Sequence, residues 1–209
     1  MFQKWAQRNK DKAFVYRLRF GMGNPGIRPW DELETMVRRA DFGSPDGLAT
    51  FVRDVALYLR RRSDKVPASI LGTKSSLPPS EAESKFDALA SEARAAFDRE
   101  VLRIEGRGQK AIENLREAKK KDDLTDEDGD FGVNEMFVVT LVVGVDASVP
   151  LFPERISGVE DLQAVLAALS GLSTPLVLKA EVVWSPAAES DIMTQDDILR
   201  FYPDLAEVG

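Results

Sequence analysis

The residues best suited to chemistry lie near the C-terminus, where Trp184, Ser185 and Pro186 are followed by Glu189, Asp191, Asp196 and Asp197. Carboxylates gathered in this way could hold Mg²⁺ or Ca²⁺, which prefer oxygen ligands. Stability alone supplies the same residues: acids favour the first turn of a helix, and a Trp suits the apolar face of a strand. The structural explanation is the expectation, and no metal is assigned. A second group, Arg60, Arg61 and Arg62, closes a helical stretch. Three cations there complement the helix macrodipole, so nucleic acid is not an expected partner. These eight positions, Arg60 to Arg62 with Trp184, Glu189, Asp191, Asp196 and Asp197, form the candidate interaction surface.

Two further patterns imitate known sites. Gly21, Gly23 and Gly26 match G-x-G-x-x-G after an expected strand. A dinucleotide fold needs a helix to open inside that pattern, and Pro25 and Pro29 oppose one, so a glycine-rich turn is expected. Asp126, Asp128 and Asp130 begin like a calcium loop, but its sixth position is Phe131 instead of Gly and its twelfth is Phe137 instead of Glu. The 209 residues include no Cys and no His. That removes disulfides, thiolate and imidazole ligands, Cys nucleophiles and His bases, and leaves an enzyme only carboxylates, Lys, Ser or Tyr. No catalytic residue and no cofactor is expected.

The element that must position all of this is Met136 to Val145, M-F-V-V-T-L-V-V-G-V, an uncharged run in a chain that is 30% charged. Its Val, Phe and Thr favour a pleated surface. Both alternating sets are apolar, so it is expected as an interior strand covered on two sides. Ala13 to Phe20 alternates with Arg17 and Arg19 on one side, which predicts a strand with one wet face. Leu176 to Trp184 is a third strand, with Leu176, Leu178, Ala180, Val182 and Trp184 on one face. A helix from Ser157 and Glu160, a capping box, separates the last two, which suggests a right-handed crossover between parallel strands. Lys179 and Glu181 are expected to pair with Arg17 and Arg19 if their strands are neighbours.

Helices are predicted from Asp31 to about Arg39, with Glu34 completing a capping box, and from Ser44, with Pro45 at the first helical position. Ser63 to Pro79 reads as a Ser, Pro and Gly loop. A long helix follows from Ser80 through Phe86, Leu89, Ala93 and Phe97 to Ile104, with Gly106 and Gly108 interrupting it before a second piece from Ala111 to Ala118. The last helix starts at Thr194 and ends at Tyr202 and Pro203. The fold class is therefore α+β, a small mixed β-sheet of about three strands covered by several helices. The chain divides into a tail at 1–12 and a single domain at 13–209, made of a helical part at 31–121, a mobile acidic linker at 122–133 and a β-α-β-α part at 134–209.

Residues 1 to 65 carry 14 Lys and Arg against 8 Asp and Glu, net +6, while the remainder carries 14 against 27, net −13. Such a basic half could face a nucleic acid, anionic lipid or an acidic partner. Mutual attraction of the halves, or helices coated for solvent, explains the same numbers. No stretch reaches membrane-spanning length and no leader is evident, so a cytoplasmic location is expected.

The strings Val139-Thr-Leu-Val-Val143, Glu160-Asp-Leu-Gln163, Ala180-Glu-Val-Val-Trp-Ser-Pro186 and Thr194-Gln-Asp-Asp-Ile-Leu-Arg-Phe-Tyr-Pro-Asp-Leu205 resemble domain-of-unknown-function family 1517. Ala40-Asp41 and Ser44-Pro-Asp-Gly-Leu48 are similar to its N-terminal signature. The resemblance runs from about Val15 to Leu205. It implies no established enzymatic activity and supplies no catalytic residues. It also implies relatives in cyanobacteria and plastids, the plant ones associated with chloroplast membranes and acclimation to changing light. Many of those carry a Ser/Gly-rich segment and a membrane span that this sequence does not contain. The expected function is a non-enzymatic interaction or scaffold module with a protein partner. A peripheral membrane accessory protein and a carboxylate-based enzyme or cation binder are the alternatives.

Overall fold

The computed structural model describes residues 12–23, 29–63, 67–106, 136–146, 156, 158–173, 176–186 and 193–207. In chain order these form β1 (Ala13–Gly23), α1 (Pro29–Arg39), α2 (Pro45–Arg60), β2 (Pro67–Leu77), α3 (Pro79–Gly106), β3 (Met136–Val145), α4 (Val159–Ser170), β4 (Val177–Ser185), α5 (Gln195–Phe201) and the short β5 (Ala206–Glu207). The fold is α+β. Its strands make one sheet in the order β4-β3-β1-β2-β5, and every pair is antiparallel.

The uncharged run is β3, between β4 and β1, and nine of its ten residues are buried. Its alternation sorts it cleanly. Phe137, Val139, Leu141, Val143 and Val145 join the large core shared with Val52, Val55 and Leu59 of α2 and Leu162, Val165 and Leu166 of α4. Val142 faces the other way, against Phe86, Leu89 and Ala90 of α3, and Val138 meets Met193, Ile198 and Tyr202 around α5. A strand covered on both faces must be apolar on both.

Four expectations about the sheet are corrected. It has five strands instead of about three, and it is antiparallel instead of mixed. β3 and β4 are antiparallel neighbours joined through α4, so no parallel crossover exists between them. Apolar periodicity marks a strand but says nothing of its direction. The segment expected as a loop, within Ser63 to Pro79, contains β2, which pairs along β1 from Ala13 opposite Leu77 to Met22 opposite Pro67. Its sequence, P-A-S-I-L-G-T-K-S-S-L, has little β-propensity, and β1 supplies the pairing that the residues themselves do not announce. Gly72 is required there, because a Cβ would fall 2.2 Å from the Ile156 side chain.

The wet face expected of β1 is also corrected. Arg17 and Arg19 are buried, because α3 and the turn after α5 close over them. Nor do they meet Lys179 and Glu181, since β3 lies between β1 and β4. Those two β4 charges pair with α3 instead: Lys179 Nζ lies 3.0 Å from both Glu83 and Asp87, and Arg94 donates to Glu181 at 2.6 Å.

Helix ends follow local chemistry with small shifts. Ser44 Oγ caps α2 by accepting from Gly47 N at 3.1 Å. Thr194 and Asp197 form a reciprocal capping box on α5. α4 starts after Gly158 without a side-chain cap, and Ser157, expected to cap it, lies outside the described residues. α1 starts at Pro29, two residues ahead of the expected Asp31 cap, and α3 starts at Pro79. Gly21 and Gly23 are residues of β1. The rest of the glycine pattern, the tail at 1–11, Asp126 to Asp130, the acidic linker and Ala111 to Ala118 lie outside the described residues.

Candidate interaction site

Among the described residues a concavity lies between α1 and α2. Their connection is set by a side-chain relay: the Asp41 carboxylate accepts from Gly43 N at 2.9 Å and from Ser44 Oγ at 2.6 Å, and Ser44 Oγ accepts in turn from Gly47 N. The Ser44 hydrogen bond, then the Gly43 amide, hold the Asp41 carboxyl below its ordinary value of 3.8. Gly47 lets this turn close. A Cβ at that position would lie 2.1 Å from the Asp41 carbonyl oxygen, which is backbone and has nowhere to go. Gly47→Ala is expected to cost about 1–3 kcal/mol as an overpacked site, read as a fall in melting temperature; an unchanged transition would show that the turn opens freely.

Between the helices is a cleft of ≈590 Å³ whose floor includes Met36, Phe51 and Tyr58. Phe42, 51% exposed, stands beside it with its ring edge-on to Phe51 at 5.1 Å. Arg39, Arg61 and Arg62 line the walls, together with Glu32 and Asp54. The Arg62 guanidinium lies 3.7 Å over the Tyr58 ring, and Nη1 donates to the Tyr58 carbonyl at 3.4 Å, so this cation is held flat before any ligand arrives. None of the three arginines has a carboxylate within ion-pair distance among the described residues, whereas exposed Arg38 bonds Glu34 at 2.6 Å. A guanidinium is a planar cation that carries donors only, so these groups suit anionic ligands.

The predicted surface is thus divided. Arg61 and Arg62 enter the cleft, joined by Arg39, while Arg60 is exposed and does not line it. Trp184 packs on the core shared with α2 and α4, whereas α5 belongs to the opposite side of the sheet. Asp197 is buried and committed to its cap; Asp196 is exposed; Glu189 and Asp191 lie outside the described residues. Trp184 and the α5 acids therefore do not converge. Among the described residues no three carboxylates come together in a way that could hold a metal.

Sequence reasoning missed a polar cluster under α3. Arg17 Nη1 donates to Glu92 at 2.6 Å, and Arg19 donates through Nε to Thr140 Oγ1 at 2.9 Å and through Nη1 to both Asp204 oxygens at 2.8 and 2.9 Å. Arg19 also lies 5.2 Å over the Tyr202 ring. Two cations and two carboxylates balance, which ties β1 to α3, β3 and the chain after α5. The available signal was a pair of arginines two apart in an otherwise apolar strand.

The sequence comparison settles the family. The model for a protein of unknown function, DUF1517, matches residues 13–208. The chain belongs to the DUF1517 family. The DUF1517 chain is 26% identical over 194 residues to FLUCTUATING-LIGHT-ACCLIMATION protein 1, chloroplastic, of Arabidopsis thaliana, covering 92% of this chain and 46% of that relative. It is 28% identical over 178 residues to Protein FLAP1 homolog A of Synechocystis, covering 83% of this chain and 50% of that one. The DUF1517 chain spans about half the length of the curated relatives it matches. No solved structure matches it significantly. The expected cytoplasmic location is corrected by these relatives, one of which is named chloroplastic and the other cyanobacterial in source. Among the described residues no helix is long and apolar enough to cross a membrane.

The charges between β4 and α3 give a testable pH dependence. Burial pulls the Lys179 ammonium down, but hydrogen bonds to Asp87 and Glu83, with the charges of both, outweigh it and raise Lys179 above 10.5. A raised folded-state value stabilises the fold below the unfolded value and is lost as pH climbs through the folded one. The stability gap between wild type and Lys179→Met is expected to be present at neutral pH and to shrink well above pH 10.5 in denaturant titrations. A gap that is constant with pH would assign the effect to packing on Phe86, which Lys179 also overlies at 5.4 Å.

Proposed function

We propose that this domain is a non-catalytic interaction module that seizes a segment of a partner protein in the α1–α2 cleft. One observation carries the reading: three guanidinia without carboxylate partners among the described residues surround an aromatic floor, with exposed Phe42 beside it. Arg and aromatic residues in a partly desolvated pocket are the side chains that dominate protein interfaces. The biological setting, taken from the name of the Arabidopsis relative, is acclimation to fluctuating light.

The test compares proteins retained by the wild-type domain in extracts of its native host with those retained by Arg61→Glu/Arg62→Glu and by Phe42→Ser. A specific partner is expected to lose about tenfold or more in affinity to each variant, with melting temperatures near that of wild type. Identical retention by all three proteins would refute the cleft as the binding surface, and turnover of a substrate would refute the non-catalytic reading.

A further inference from the structure

Away from the cleft, β4 ends the sheet. Its inner edge pairs with β3, and among the described residues no strand pairs with its outer edge. An unpaired edge is a row of backbone donors and acceptors that natural proteins shorten, charge, bulge or cover. Here both ends are closed. Leu178 is the extra residue where the register slips from Gly144 opposite Lys179 to Val145 opposite Val177. At the other end Ser185 is fully buried, and Pro186 has no N–H to offer. Between these limits Ala180 to Trp184 is only partly covered.

We propose that this edge pairs with the same edge of a second copy of the chain, antiparallel and centred on Val182. A two-fold axis perpendicular to the sheet keeps each side chain on its own face, so the axis must pass through a residue pair. Centred on Glu181, it sets two carboxylates directly opposite, which is unfavourable. Centred on Ala180, it runs Val182 onto Leu178, which the bulge has turned to the α3 side with Phe86 while Val182 faces the other core. Centred on Val183, it needs Ser185, which is buried. The axis through Val182 confines the pairing to the part-covered Ala180 to Trp184 and leaves Ser185 outside it, across from Lys179. It sets Val182 against Val182, and Ala180, the smallest side chain on that face, against Trp184, the largest. On the α3 face Glu181 meets Val183 and keeps its bond to Arg94. The contact is isologous, so it closes at two copies and does not propagate into a fibre.

The absence of Cys from the chain makes the test clean. Directly opposed residues in such a pair have Cα atoms within disulfide range. Under mild oxidation Val182→Cys is expected to form a covalent dimer about an order of magnitude faster than Glu181→Cys alone or Leu199→Cys, whose exposed side chain reports random collision. An equimolar mixture of Glu181→Cys and Val183→Cys is expected to crosslink as the mixed species, which keeps the test open if Val182→Cys folds poorly. Light scattering of the unmodified chain should approach twice 23.2 kDa as concentration rises. A monomer mass throughout, or crosslinking at position 182 no faster than at 199, would overturn the proposal. So would dimers that form equally well from Glu181→Cys alone, because they require another register.

Discussion

Leu141→Asp is expected to yield no folded protein. Leu141 sits in the middle of β3, 1% exposed, opposite Leu18 on β1 and Val182 on β4, with its side chain in the large core. Losing that burial removes about 1.5–3 kcal/mol. An ionised carboxylate placed there costs several kcal/mol more after any relaxation, because its neighbours in that core are apolar. The sum reaches the roughly 5–15 kcal/mol that holds an ordinary domain together. The expected observation is insoluble expression, or a far-ultraviolet spectrum without a cooperative thermal transition. Leu141→Met, which nearly conserves volume, should cost less than about 1.5 kcal/mol and remain folded. A Leu141→Asp protein with a normal melting curve would mean that β3 is not an interior strand.

The second large effect is expected at the polar cluster. Asp204→Ala leaves the Arg19 side chain, 3% exposed, without the carboxylate that accepts both of its Nη1 hydrogen bonds. Removing one partner of a buried pair costs about 3–5 kcal/mol, and the lower end applies because the Asp204 side chain is 34% exposed. For a chain of this size that is a fall of roughly 6–12 °C in melting temperature. Replacing both partners should be milder. Arg19→Met with Asp204→Ala removes the stranded charge, and Met fills much of the space, so the double variant is expected to recover a large part of the loss. If the double variant is as unstable as the sum of the singles, the two side chains are not coupled and the cluster is a set of independent contacts.

The same cluster shows where a sequence loses information. Arg17 and Arg19 alternate with Tyr16, Leu18 and Phe20, and alternation of that kind signifies a half-solvated strand. Nothing within ten residues indicates that Glu92 and Asp204, distant in the chain, will arrive to neutralise them. β2 illustrates the converse. Its Ser, Gly and Lys residues carry no strand signal, and its conformation is dictated by the backbone of β1 and by Ile156 lying over Gly72. The candidate surface was legible in part. The Arg60 to Arg62 run was visible, but which of its members would face a cleft depends on the angle at which α1 meets α2, and Arg39 reaches the same cleft from the other helix.

By itself the sequence determined that the chain is α+β, that Met136 to Val145 is a strand buried on both sides, where most helices lie, and that thiol and imidazole chemistry are excluded. Those properties are local: they follow from side-chain shape, periodicity and residue inventory. Only the tertiary structure decided the direction and number of the strands, the burial of two arginines, the separation of Trp184 from the α5 acids and the cleft between α1 and α2. Each of these depends on which distant segments pair. Pairing is set by the free energy of the whole sheet and its two cores, a sum over long-range contacts that no window of sequence contains.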